Sequence, residues 1–293
     1  MKFVVTGSLG HISRPLVAEL VEKGHTVTVI SSKPEKQKEI DAMGAMAAIG
    51  SLEDIDFLVA TFSGADAVYA MVPPAYAEPD QLAYYQRIGQ NYKQAIQQSG
   101  IKRVVYLSSY GAHLAEGTGL ILGSHYTECM LNELSDVATT HLRPGYFYYN
   151  LNNFVSMIKE QGFIGTNYGG DDRLVMVAPS DIAAVAAEEL EAPVSIGNRV
   201  RYIASDDLTA NEAAQVLGAA IGKPDLTWMV FSDEQVKGAM IGAGMPAAFV
   251  DGFVELGASI HSGMLREDYD LHKPATMGKV KLADFAKEFA AAF

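Results

Sequence analysis

The stretch of this sequence with the plainest chemical capacity is Thr6-Gly7-Ser8-Leu9-Gly10-His11-Ile12-Ser13. It follows a short β-branched run at 3–6 and opens a helical pattern at 14–23. Glycine lets a backbone turn sharply and approach a ligand closely. The helix that follows offers N–H groups and a partial positive charge at its N-terminus. The stretch Gly7, Ser8, Leu9, Gly10, His11 and Ile12 is therefore a candidate phosphate site. A lone Gly-x-x-Gly is a weak signal and also fits a plain βα turn. Its position at the first strand–helix turn of an alternating chain is what points to a dinucleotide. Ser13 stands where the usual pattern has a third glycine, which predicts a slightly wider helix–strand contact.

The end of the second apolar run bears on which dinucleotide is bound. Val29-Ile30-Ser31-Ser32-Lys33-Pro34-Glu35 has no acid before Glu35, beyond the proline. A preference for NAD needs an acid there to accept bonds from the ribose hydroxyls. Ser31, Ser32 and Lys33 suit a 2′-phosphate instead, so NADP(H) is favoured and NAD(H) stays open. A solvated loop lysine is the plainer alternative.

The pattern that must position these residues alternates. Strand-like runs lie at 3–6, 26–30, 67–72, 103–107 and 139–142. Helix-like stretches lie at 14–23, 81–98 and 125–134, and Gly24 falls where a helix cap is expected. Near-continuous apolar strands between helices predict a doubly wound parallel α/β sheet covered on both faces, with ligands at the carboxyl ends of the strands. After about residue 151 the pattern changes. A loop is expected at 162–172, helices at 179–190, 209–221 and 282–293, a strand at 200–204, and short helices within 236–264. The expected organisation is a dinucleotide-binding domain over 1–150, with part of 175–205 returning to its sheet, and a smaller C-terminal α/β lobe over 151–293.

Composition narrows the function classes. Of 293 residues, 49% are hydrophobic and 19% charged, the balance of a chain with a large core and not of a disordered one. The net charge of −13, with no dense Lys/Arg run, argues against nucleic acid as a partner. One cysteine, Cys129, excludes an intrachain disulfide and multi-thiolate zinc sites. No metal is expected, because His113, His125 and His141 lack ligand spacing. The opening run is too short for a secretory core, and the longest uncharged stretch falls short of a membrane span, so a cytoplasmic protein is the default. No Gly-x-Ser-x-Gly elbow supports a hydrolase.

Four motifs occur in order: Thr6-Gly7-x-x-Gly10-His11-Ile12, Ser108-Ser109-Tyr110-Gly111-Ala112, Leu142-Arg143-Pro144-Gly145-Tyr146-Phe147-x-x-Asn150 and Pro179-Ser180-Asp181-Ile182-Ala183. Together they resemble the NmrA-like branch of the atypical short-chain dehydrogenase/reductases. The resemblance covers essentially the whole chain. It implies a Rossmann domain that binds NAD(P)(H) and a small lobe that closes over a substrate cleft. It also implies that Gly7, Leu9, Gly10, His11 and Ile12 line the pyrophosphate and that Met71, Val72 and Pro73 run under the middle of the cofactor. Ser108, Ser109 and Tyr110 would approach the nicotinamide, and Pro144, Gly145, Tyr146 and Phe147 would hold its carboxamide end. Where the family often has an acid against adenine, this chain has Ser51.

Reductases of the wider superfamily use Tyr-x-x-x-Lys on one helix, where the ammonium lowers the phenol pKa. Here Tyr126 is followed, four residues on, by Met130. Reversible alcohol–ketone chemistry is thereby disfavoured, and so is nucleotide-sugar epimerisation. A quinone or azo acceptor asks less of a general acid, so Tyr126, Tyr110 or water can serve; His125 and His113 are alternatives. Tyr146, Phe147, Tyr148, Tyr149, Tyr110 and Trp228 can wall a pocket for a planar small-molecule substrate, with Tyr149 and Trp228 as substrate contacts, or can simply pack a core. Met240, Met245 and Met264 form either an adaptable lid or lobe packing. Glu128 reads as solvated or paired, Cys129 as a small buried hydrophobe, Glu188, Glu189 and Glu191 as a solvated helix end, and Asp206-Asp207 as loop and cap residues. Two readings follow: an NADPH-dependent reductase of quinones or similar electrophiles, and a non-catalytic NADP(H) sensor that acts through a protein partner.

Overall fold

The apolar runs of the first half are buried because both faces of their sheet are covered, as a parallel sheet requires. The computed structural model describes residues 1–75 and 78–293. In chain order its elements are β1 (Lys2–Val5), α1 (Ser13–Glu22), β2 (Thr26–Ser31), α2 (Gln37–Ala42), β3 (Met46–Ile49), α3 (Ile55–Phe62), β4 (Ala67–Ala70), α4 (Gln81–Ser99), β5 (Arg103–Leu107), α5 (Leu122–Asn132) and β6 (Ala138–Pro144). There follow β7 (Tyr146–Phe147), α6 (Val155–Gln161), β8 (Ile164–Thr166), β9 (Arg173–Val177), α7 (Pro179–Glu191), β10 (Gly197–Ile203), β11 (Asp206–Thr209), α8 (Ala210–Ala220), β12 (Trp228–Val230), α9 (Asp233–Gly242), α10 (Ala247–His261), α11 (Arg266–Leu271) and α12 (Leu282–Ala290).

Seven strands form one sheet in the order β10-β6-β5-β4-β1-β2-β3. The pairs of β1 with β2 and β4, β2 with β3, and β5 with β4 and β6 are parallel. This is the doubly wound Rossmann order, with the reversal between β1 and β4. β4 is buried along its whole length, and α1 covers the sheet with Leu16, Val17 and Leu20. Gly24 does adopt a left-handed φ of 81° after α1, and Gly100 caps α4 with a φ of 75°.

Several elements depart from the sequence pattern. The run at 67–72 stops as a strand at Ala70, because side chains take the backbone groups of Met71: its N–H donates to Thr6 Oγ1 at 2.9 Å and its carbonyl accepts from Tyr92 at 2.7 Å. β3 has no counterpart among the strand-like runs; Met46-Ala47-Ala48-Ile49 holds one β-branched residue and forms a half-exposed sheet edge. The expected loop at 162–172 contains β8, which pairs in parallel with β12.

By proximity the described residues divide into two units, Met1–Ser109 with Gly123–Arg143 and Ile182–Arg201, and Tyr110–Leu122 with Pro144–Asp181 and Tyr202–Phe293. The second unit has its own core, in which Tyr148, Leu151, Phe154, Leu217, Trp228 and Phe289 are buried. Thr209 and Glu212 close a capping box on α8. No helix among the described residues is long and apolar enough to cross a membrane.

Asp181 ties the end of the second unit together. Its carboxylate accepts Ser205 Oγ at 2.7 Å and the N–H groups of Lys279 and Val280, both at 3.1 Å. Ser205 Oγ in turn accepts the N–H of Ala178. Gly278 lies so close that a Cβ would stand 2.3 Å from Asp181 Oδ2. Next along, Asp206 accepts the Tyr148 hydroxyl at 2.6 Å and the N–H of Leu282, the first residue of α12, at 2.7 Å. Asp181→Ala strands buried donors, and the expected cost is about 3 kcal/mol. Urea unfolding checks this: the midpoint should fall clearly, with Asp181→Asn between the two, and an unmoved midpoint would contradict the clamp.

Candidate functional site

β1 delivers the chain to the glycine turn at the carboxyl end of the sheet. Gly7 has a φ of 84°, and a Cβ on it would lie 2.8 Å from Met71 Sδ and 2.9 Å from Ser13 Oγ. Both backbone and space therefore require glycine there. Ser8 follows with a φ of 54°, an uncommon conformation for a side-chain-bearing residue. It is held by its N–H on the Ile30 carbonyl at 3.1 Å and by its hydroxyl on Ser31 Oγ at 3.0 Å. The N–H of Gly10 closes the turn on the Gly7 carbonyl, and that of Arg14 bonds the Gly10 carbonyl as α1 begins. Ser13, in the third-glycine position, is buried and donates its hydroxyl to the Thr6 carbonyl at 2.9 Å. Gly10 and His11 are exposed, and Gly7, Ser8 and Leu9 half-buried, so the turn opens to solvent where a helix presents its first amides.

The neighbouring strand ends complete the first unit's part. Ser31 is buried, and its hydroxyl also accepts the N–H of Lys33 at 3.2 Å; it braces the turn from inside. Ser32 and Lys33 are exposed. Ser51 is exposed and accepts the N–H of Glu53. At the end of β4, Met71 is fixed as described, Val72 is buried and Pro73 half-buried. Burial pushes the Tyr92 phenol well above its ordinary pKa, so it stays a donor to Met71. The turn is thus a cradle in which a side chain at Gly7 would be an obstruction, and it fits the diphosphate of a dinucleotide.

At the end of β5 the structure holds a feature that the sequence pattern does not assemble. Ser108 donates its hydroxyl to Glu128 Oε1 at 2.5 Å. Arg143 grips the same carboxylate with Nε at 3.0 Å and Nη2 at 2.6 Å. All three residues are buried. Glu128 is therefore paired, and the available signal was Arg143 itself: a cation closing an apolar strand needs an acid beside it. Ser109 is half-buried.

On the same helix Tyr126 is half-buried, with the His125 ring edge-on at 5.5 Å. Met130 packs against α4, since a Cβ on Gly89 would come within 3.1 Å of its sulfur. The position that carries lysine in a Tyr-x-x-x-Lys pair is thus used for helix packing. Cys129 is exposed, not buried, because the apolar face of α5 is taken by Leu131 and Thr127. Glu189 is likewise not solvated: it is buried and accepts Thr140, Arg199 and Arg201. Glu191 pairs with Lys23 and His25, and Glu188 with Arg201 at the surface. Burial pushes the His141 pKa down, and its Nε2 lies 2.7 Å from Asn132 Oδ1.

The second unit holds the remaining candidates. Tyr110 is half-buried and packs edge-on to Tyr269 at 5.8 Å, beside Val175, Tyr202 and Ala204. Burial drives its phenol well above the ordinary range, with nearby Arg266 pulling the other way. The N–H of Tyr110 bonds the Pro144 carbonyl, and that of Gly145 the Ile203 carbonyl. Gly145 has no room for a side chain, as a Cβ would stand 2.3 Å from the Val175 carbonyl oxygen. The aromatic run alternates. Tyr146 and Tyr148 pack on the core, and Phe147 and Tyr149 are half-buried against each other at 5.3 Å. Burial raises the Tyr146 phenol to about 12. Trp228 walls no open pocket: it is 2% exposed, between Phe154 and Tyr168. Asp206 and Asp207 lie in β11, where Asp207 is gripped by Arg173 and Arg266. Met240 packs on the Val236–Val250–Val254 cluster, Met264 lies against Gly117, and Met245 is exposed. Among the described residues no group of His, Cys, Asp or Glu could hold a metal ion.

Known proteins share this architecture. The chain is similar to an NAD(P)H azoreductase of Xenophilus azovorans, 29% identical over 292 residues, covering 99% of this chain and 98% of that protein. Among solved structures it resembles an NADPH-dependent quinone oxidoreductase of Escherichia coli complexed with NADPH, with a TM-score of 0.81, 21% identity and coverage of 98% and 99% of the two chains. A Citrobacter triphenylmethane reductase complexed with NADP(H) superposes with a TM-score of 0.79 at 21% identity, covering 98% of this chain and 99% of that one. Residues 1–258 match the family model, which places this chain in the NmrA-like family.

Proposed function

We propose that the protein is an NAD(P)H-dependent oxidoreductase that prefers NADPH and reduces quinones or similar electrophilic small molecules by hydride transfer. The observation that carries this is the glycine turn between β1 and α1, with Gly7 pressed against Met71 and Ser13 beside the strand-order reversal. The relatives named above, acting on azo compounds, quinones and triphenylmethane dyes, support the same substrate class. NADPH is preferred because the end of β2 presents exposed Ser32 and Lys33 and no acid.

The nicotinamide coenzyme, when bound, supplies the hydride. The chain's own groups bind and orient. Amides at the start of α1 hold the diphosphate, and Gly7 keeps the approach clear. Met71, fixed by Thr6 and Tyr92, lies with Val72 and Pro73 after the end of β4. Ser108 is committed as a donor to Glu128, and on α5 Ser124 and Thr127 are buried while Tyr126 is half-buried. Tyr126 is the preferred proton donor. The Tyr110 phenol is pushed up by burial and sits in an aromatic cluster. Without an ammonium at residue 130, an acceptor whose reduced form is a stabilised anion is the fitting partner.

Met130 also favours a second reading, a redox sensor that binds NADP(H) without turnover and signals to a protein partner. Such a sensor must bind its partner differently in the NADP and NADPH states. The two readings separate in one experiment, in which purified protein is given NADPH and a panel of quinones and azo dyes. Steady coenzyme oxidation is expected; tight binding with no turnover for any acceptor would favour the sensor.

Two variants test the site. Gly7→Ala forces a Cβ into contact with Met71 and a disfavoured φ, so coenzyme affinity should fall about tenfold or more by calorimetry. An unchanged affinity would rule the turn out as the diphosphate site. Tyr126→Phe should lower kcat by roughly 100-fold, the low end for a general acid, with KM little changed. A wild-type kcat would exclude Tyr126 as the proton donor.

A further inference from the structure

Two cations converge on one carboxylate at the outer end of the glycine turn. Arg14, in the first turn of α1, reaches Glu39 Oε1 on α2 with its Nη2. Lys36, in the turn that follows Lys33, holds Glu39 Oε2 at 2.8 Å. The side chains of Arg14, Lys36 and Glu39 are 46%, 37% and 39% exposed, so all are open to exchange with solvent or ligand. Hydrogen bonds from Lys36 and Arg14 hold the Glu39 carboxyl down at about 2, which keeps it ionised at any ordinary pH. The contact joins the helix after the turn to the helix after β2. The connection between β2 and α2 carries exposed Ser32 and Lys33, and Ser31 braces it to Ser8.

A dinucleotide in the Rossmann position sets its adenosine ribose at the end of β2, where a nearby arginine receives a 2′-phosphate. Arg14 is chemically suited to be that arginine, because a guanidinium pairs with phosphate through two parallel bonds. In the structure, however, its partner is Glu39. We propose that Glu39 is a built-in competitor for the 2′-phosphate of the coenzyme: it parks Arg14 in the free protein, yields it when the phosphate arrives, and by its charge tempers the selectivity for NADPH over NADH. This inference rests on the coenzyme reading above. A phosphate bearing nearly two negative charges displaces one carboxylate from Arg14, yet it is repelled by the negative charge left beside it. The selectivity is thereby positive but below what the same cations would give alone.

The test is calorimetric titration of NADPH and NADH into wild-type protein, Glu39→Gln, Arg14→Gln and a charge-matched control, Asp56→Asn, at exposed Asp56 on α3. The ratio of NADPH to NADH affinity should rise about threefold to fivefold in Glu39→Gln and fall about tenfold in Arg14→Gln, with both differences shrinking as salt is added. A ratio that stays level or falls in Glu39→Gln overturns the inference, as does an equal rise in Asp56→Asn, which would mark a net-charge effect. Wild-type protein that binds both coenzymes while Glu39→Gln keeps its ratio sinks this inference alone. Wild-type protein that binds neither sinks the coenzyme reading as well.

Discussion

The absence of one methyl group at residue 7 lets three parts of the first unit meet. The Met71 sulfur and the Ser13 hydroxyl both come within 3 Å of where a Gly7 Cβ would be. Each is fixed in turn by a polar bond. Ser13 donates to the Thr6 carbonyl, and the Met71 amide donates to the Thr6 hydroxyl. Thr6 thus ties the end of β1 to α1 through its backbone and to the end of β4 through its side chain. Sheet pairing supplies the rest, because Val5 is in register with Val29 on one side and Tyr69 on the other. A cradle of amides at a strand-order reversal follows from these few contacts, and the coenzyme proposal stands on it.

How legible this was in the sequence depended on the kind of interaction. Strands buried on both faces announce themselves by continuous β-branched runs, and Gly24 and Gly100 mark helix ends that only a left-handed residue can close. β3 lies on the sheet edge and needs little β-branched surface, so Met46-Ala47-Ala48-Ile49 carries no such signal. α3 reads Ile55-Asp56-Phe57-Leu58-Val59, a strand-like string, and is a helix because Asp54 caps it through the N–H of Phe57. The end of β4 is set by Thr6 and Tyr92, residues far away in sequence, and no local pattern encodes that. The glycine turn was legible for the opposite reason: its backbone demand falls on a few adjacent residues.

The same distinction holds at the site. Met130 was visible as a missing lysine, and its packing on Gly89 shows what the position does instead. Arg143 signalled the need for an acid, but which acid it grips, and the bond from Ser108, were not visible, since the cluster joins the residue after β5 to α5 and β6. Burying an ion pair is costly unless the geometry is good and further hydrogen bonds satisfy the groups. Here one carboxylate takes two guanidinium bonds and one hydroxyl, so the desolvation of each group is offset by a charge-assisted partner. Removing either charge alone would leave its partner stranded, which makes the pair a rigid joint at the strand ends where Rossmann ligands bind. Trp228 stayed ambiguous for a related reason: a large aromatic on a short strand fits a pocket wall and a core equally well until its neighbours Phe154 and Tyr168 are known.

Asp181 and Glu128 show a common use of buried carboxylates in this chain. Neither carries a role that composition would suggest; each gathers donors from segments far apart in sequence and removes their freedom. Asp181 holds the N–H groups of residues 279 and 280, which have no strand to pair with. Glu39 differs in one respect: its partners are exposed, so its bonds exchange readily with solvent and contribute little to stability. A carboxylate anchors best when dry, because water would otherwise compete for each donor at little cost. A carboxylate that yields to a ligand must be wet, because desolvation would make its release too unfavourable. Burial therefore separates Asp181 and Glu128, which anchor, from Glu39, for which we propose a response to the coenzyme.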